Sequence, residues 1–154
     1  MKSKTEIYTV SKTEKAIKSA FSALLPVVYF VLCYKAGAEA EAGLDGVVWL
    51  LLYTFACALV YAVPFVITQS RIKARAGDSI KPYIAADALF VFLPAAVSSL
   101  ASALLFYIFS SDRGYIWFFA FVLLAAFILI TLYFWLSYYV NIVIARKIKS
   151  RGKR

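Results

Sequence analysis

Residues 115–144 read YIWFFAFVLLAAFILITLYFWLSYYVNIVI, thirty positions without one charged side chain. As an α-helix at 1.5 Å per residue the stretch is about 45 Å long, more than the ~30 Å of hydrocarbon in a bilayer. A helix on the surface of a soluble domain keeps a polar face; this one has none. A membrane β-strand alternates apolar and polar over ~10 residues, and here the apolar run is unbroken. Counting about 20 residues inward from Tyr115 reaches Trp135. The sequence after it, Asn141–Lys149, is therefore expected to continue as a basic helix beyond the hydrocarbon.

Three further apolar stretches precede it: Ile17–Tyr34, Val47–Ile67 and Tyr83–Phe109. The first two match one crossing, and the third, about 40 Å long, must tilt or protrude. Of the whole chain 64% is hydrophobic and 16% charged, against ~45–50% and ~25% in soluble domains. A soluble fold of this size has no place to hide that much apolar surface. The sequence predicts an all-α polytopic membrane protein, one domain over residues 1–154, built as a four-transmembrane-helix bundle. Its simplest form is up-down-up-down with short connections and a basic tail at 145–154.

Boundary residues agree with this division. Ser11-Lys-Thr-Glu14 matches a capping box, so the first helix should begin near Lys12. Glu14 and Lys18 then stand one turn apart and can pair. Gly37, Gly43 and Gly46 punctuate the first loop, and Pro82 suits the first turn of the third helix. Ser110-Ser-Asp-Arg-Gly114 reads as a tight turn that makes the third and fourth helices antiparallel neighbours. Glu6-Ile-Tyr-Thr-Val10 could lie on lipid headgroups.

Charge sets the expected orientation. Lys2, Lys4, Lys12, Lys15 and Lys18 precede or open the first span. Arg71, Lys73, Arg75 and Lys81 lie between the second and third. Arg146, Lys147, Lys149, Arg151, Lys153 and Arg154 end the chain. The other two loops hold only Lys35 and Arg113, beside Glu39, Glu41, Asp45 and Asp112. The positive-inside rule makes the basic side cytoplasmic, with both termini there, as in a bacterial inner membrane. Tyr34, Trp49, Tyr107, Tyr115 and Trp117 fall at the outer interface, and Tyr83, Trp135, Tyr138 and Tyr139 at the inner one. Arg71, Lys73, Arg75, Arg146, Lys147 and Lys149 are expected to contact anionic lipid. A second reading of the start is a secretory signal cleaved near Ala36-Gly-Ala38 or Ala38-Glu-Ala40, leaving three spans. Intact mass separates the two: a mature chain beginning near Glu39 would remove the first span.

The net charge of +9 does not indicate nucleic acid, since no domain is present to offer a groove-reading element. There is no histidine. Cys33 and Cys57 sit in apolar runs at different depths and read as unpaired packing residues. No Gly-rich phosphate loop, metal-ligand cluster or paired carboxylates occur, so neither enzymatic activity nor a cofactor is expected.

Asp87 is the only acid within an apolar stretch. It reads either as an ion, proton or cationic-substrate site, or as an interfacial acid near Lys81 and the basic loop. Pro26, Pro64 and Pro94 each remove one helical hydrogen bond in the basic half of a span. They are candidate hinges of a cavity rimmed by Thr68, Gln69, Asp87, Ser22 and Ser137, or simply tolerated prolines. Ala95, Ser99 and Ala103, with Ser98 and Ser102, form a small-residue face for close helix packing. Asn141 reads as an interfacial residue beside Arg146, or as a polar bridge within the bundle.

Four spans at this length, both ends inside and a basic tail resemble small bacterial membrane families. Among these are lipid-linked-sugar flippase candidates and immunity proteins against membrane-targeting toxins. No residue role carries over. The sequence favours a non-enzymatic component that binds another membrane protein, as an accessory subunit or toxin-immunity protein. The alternative is a homo-oligomeric transporter or flippase with a cytoplasm-facing cavity near Asp87. An open cavity beside Asp87 would favour transport; a sealed bundle with an exposed small-residue face would favour partner binding.

Overall fold

A computed structural model describes residues 11–39, 44–74, 80–109 and 116–152, with backbone alone for 36–39, 44–46, 73–74 and 149. The described chain is helical: α1 Lys12–Glu39, α2 Leu44–Ala74, α3 Lys81–Asp87, a π-helical turn Ala88–Phe92, α4 Leu93–Phe109 and α5 Ile116–Arg151. Four helical segments are long and apolar enough to span a membrane: Lys12–Lys35, Val47–Ile72, Lys81–Phe109 and Ile116–Ile148. The third comprises α3, the π turn and α4.

Local signals explain the ends. Ser11 Oγ accepts the Glu14 N–H at 3.1 Å, so α1 starts at Lys12. The Glu14 carboxylate, which a full capping box would turn back toward Ser11, reaches Lys18 and Arg71 instead. Pro82 occupies the second position of α3, where its missing N–H is harmless. The Tyr83 and Ile84 N–H groups close that turn on the Ile80 carbonyl. α5 runs 36 residues through Asn141 and Arg146 before the Gly152 N–H donates to Ile148 O at 3.1 Å.

The π turn has a visible cause and consequence. Pro94 has no N–H to give the carbonyl four residues back, and the preceding turn widens, with the Leu93 N–H bonding Ala88 O. Tyr83, Asp87, Val91, Ala95, Ser99 and Ala103 are all buried at a spacing of four. In a regular helix that spacing drifts ~40° per step, so the stripe would wind off its neighbours. The wider turn takes back part of this drift and keeps Asp87 on the inward face.

Consecutive spans alternate in direction, yet their neighbour order is not sequential. α1 lies between α2 and the third span, and α5 between α2 and α4. α1 runs parallel to the third span: Ala23 meets Ser98 and Phe30 stacks on Phe106. α2 runs parallel to α5: Tyr61 stacks on Phe127 at 4.1 Å and Phe65 on Phe134 at 5.3 Å. The second and third spans come together chiefly where the third begins. The chain therefore crosses a diagonal between them, unlike a bundle in which each helix packs on the next. α4 and α5 are antiparallel neighbours, with Tyr107 against Trp117.

The interior is aromatic and hydroxylic: Tyr29, Tyr61, Phe65, Tyr83, Phe127 and Tyr138 are fully buried. The outside carries large apolar side chains, among them Leu24, Phe55, Leu100 and Leu129. Cys33 and Cys57 are buried and free. Residues 1–10, including Lys2 and Lys4, lie outside the described residues. So do Glu41, Gly43, Arg75, the turn at 110–114 with Asp112 and Arg113, Tyr115, Lys153 and Arg154.

Candidate functional site

All four spans contribute a side chain to one buried polar node. α3 ends on Asp87, which has no solvent exposure. α1 supplies Lys18, whose Nζ stands 3.6 Å from Asp87 Oδ1. α2 supplies Thr68, whose Oγ1 accepts from Lys18 Nζ at 2.9 Å and lies 3.1 Å from Asp87 Oδ1. The Thr68 hydroxyl is also 3.1 Å from Pro64 O, so its one proton has two acceptors. α5 supplies Tyr138, whose OH donates to Asp87 Oδ2 at 2.8 Å and also lies 3.0 Å from Phe65 O. Both carboxylate oxygens therefore have a hydroxyl partner, as a buried charge requires.

The node continues outward as alternating charges. Lys18 Nζ is 3.4 Å from Glu14 Oε1, one turn earlier on α1. Glu14 Oε2 accepts from Arg71 Nη1 on α2. Side-chain exposure falls along the series, from 43% at Arg71 through 19% at Glu14 and 7% at Lys18 to 0% at Asp87. Two cations and two acids thus form a neutral ladder from the surface into the bundle. Beside it, Lys15 Nζ sits 5.2 Å from the centroid of the Phe90 ring, on the π turn.

The other residues singled out in the sequence divide clearly. Asp87 and Thr68 belong to the node. Asp87 is buried among Lys18, Thr68 and Tyr138, and Lys81 is exposed. Gln69 points elsewhere and donates to Ser137 Oγ at 2.7 Å between α2 and α5. Pro26 and Pro64 are buried within α1 and α2. Ala95, Ser99, Ser102 and Ala103 are buried on α4, and Ser98 donates to the Ala23 carbonyl of α1. That small-residue face packs inside the molecule and is not an exposed docking surface. Asn141 is half-buried, with Nδ2 unpartnered among the described residues. Arg146 and Lys147 are exposed on α5, and the helical backbone carries Lys73 and Lys149.

Lys18 is not marked as a site residue by the sequence, because it belongs to a run of basic residues at the start of the first span. A weaker signal is present. Lys18, Ser22, Pro26, Tyr29 and Cys33 form one buried stripe of α1, and an acid within a span calls for a cation partner. Tyr138 is not marked either, since a tyrosine near an interface is ordinary.

Comparison with family models, with curated proteins and with solved structures gave no match.

Proposed function

We propose that the chain is an integral membrane protein, both termini on the cytoplasmic side, that transports a cationic substrate or flips a lipid-borne one through the Asp87 node. The carrying observation is a fully buried carboxylate, paired with Lys18, where all four spans converge. A buried ion pair is often no more stabilising than apolar residues of the same volume. Ionisable groups buried within membrane bundles often mark ion, proton or substrate paths. The π turn and Pro94 sit next to Asp87, where a helix adjusts at least cost. The basic end would face anionic lipid through Arg71, Arg146 and Lys147. The bundle closes around the node, so the open cavity expected of a transporter is not seen among the described residues. The working unit is therefore taken as a homo-oligomer with a second state that opens a cytoplasm-facing path.

Reconstitution tests this. Wild-type proteoliposomes should move solute or labelled lipid faster than protein-free vesicles, and Asp87→Asn should lose that activity while still inserting. An active Asp87→Asn variant would remove the proposal.

A second reading is a non-enzymatic subunit or immunity protein that binds another membrane protein. The closed interior favours it, together with the bulky apolar outer face of α5, where Phe121 and Leu129 are exposed. Pull-down in mild detergent with mass spectrometry discriminates: a homo-oligomer with no second protein counts against it.

A further inference from the structure

The Lys18 ammonium occupies a position between two acids without a short bond to either. It lies 3.4 Å from Glu14 Oε1 and 3.6 Å from Asp87 Oδ1, and its 2.9 Å hydrogen bond goes to Thr68. Ionic hydrogen bonds of this type normally close to about 2.7–2.9 Å. The ammonium is thus shared between an outer and an inner carboxylate. Glu14 has a second cation, Arg71, whose side chain is 43% exposed. Glu14 can therefore take a larger share of Lys18. With Lys18 turned fully to Glu14, the place beside Asp87 would be left for another cation.

The surroundings of that place suit N–H donors. An ammonium carries three donors and no acceptor. Asp87 Oδ1 and Thr68 Oγ1 accept at the node. The Phe90 ring already holds the Lys15 ammonium. A hard divalent ion would want six or more oxygens, whereas this set matches what a lysine ammonium uses.

We propose that the node is a binding site for a protonated primary amine, held in this structure by the chain's own Lys18 and vacated when Lys18 turns from Asp87 to Glu14. The inference rests on the transport reading and names its substrate class. The amine has two possible sources, a free small molecule or the headgroup of an aminophospholipid.

Thermal unfolding of the purified full chain, followed by tryptophan fluorescence, tests the binding. Lys18→Ala removes the side chain from Cγ to Nζ, the size of n-propylammonium. That ion should raise the midpoint of Lys18→Ala by about 5 °C or more at saturation. Potassium and tetramethylammonium at equal ionic strength should not. The double variant Lys18→Ala/Asp87→Asn should ignore the amine. If Lys18→Ala does not fold unaided, the same result is read as monodisperse protein recovered only in propylammonium, with Lys18→Gln run in parallel. Indifference to the amine in both variants, or an equal response to potassium, overturns the assignment. Two flux measurements in proteoliposomes separate the sources: methylammonium uptake, and transbilayer movement of labelled phosphatidylethanolamine against phosphatidylcholine. Amine-dependent stabilisation without either flux keeps the site and overturns the transport reading. Flux without amine-dependent stabilisation does the reverse.

Discussion

At the end of the bundle where α1 begins, Lys18, Thr68, Asp87 and Tyr138 place an ammonium and a carboxylate among four helices. Further along, Tyr29 bonds Thr54 at 3.1 Å and Tyr61 bonds Thr131 at 3.0 Å, hydroxyl to hydroxyl. Both regions bury their polar atoms among aromatic rings, and each threonine also returns a bond to its own helix, Thr54 to Leu50 O and Thr131 to Phe127 O. Helix contacts between neutral groups inside membrane proteins average only ~0.6 kcal/mol, because the separated helices find other partners. Removing one member of a buried ion pair leaves the other charge short of a partner. The hydroxyl pairs therefore fix helix register at low cost, whereas disturbing the charged node is expensive.

The largest expected effect comes from breaking the node on one side. Asp87→Ala leaves Lys18 with only the outer acid and should lose about 3–5 kcal/mol of unfolding free energy, read by denaturant titration in detergent. A loss below 1 kcal/mol would show Lys18 satisfied by Glu14 alone. Next is Tyr138→Phe, which takes a charge-assisted donor from Asp87 Oδ2 and should cost about 1.5–3 kcal/mol. Tyr29→Phe is its counterpart in the hydroxyl region, with an expected loss near 0.6 kcal/mol. Equal costs for the two phenylalanine variants would erase the contrast between the regions. Smallest is Arg71→Ala, at the half-exposed end of the ladder, with at most about 1 kcal/mol. That loss should shrink as salt is raised, since exposed charges are screened, and a salt-independent loss would show Arg71 working from within.

The helices were legible because lipid-sized apolar runs admit one reading. Ser11 and Pro82 carry their boundary signals locally, and α5 continues past Ile144 because nothing in Ala145–Arg151 breaks a helix. The neighbour order was not legible. Four similar apolar faces pack equally well in several orders, and the order is set by contacts such as Ser98 with Ala23 and Phe65 with Phe134. The site was half legible. Asp87 stands out as a lone acid, but Lys18 lies far from it in sequence and resembles the surface lysines around it. Its burial follows from the phase of α1, and the phase of the third span is reset beside Asp87 by a π turn that Pro94 hints at without fixing. The small-residue pattern on α4 was visible, but spacing alone does not say whether such a face meets a partner or the chain's own α1.

Lys18 and Asp87 form one buried unit, and a double-mutant cycle measures their coupling directly. Lys18→Met and Asp87→Leu should each destabilise the chain strongly, and the double variant should recover most of that loss, with a coupling of roughly 2 kcal/mol or more. Losses that simply add in the double variant would contradict the pairing and the site built on it.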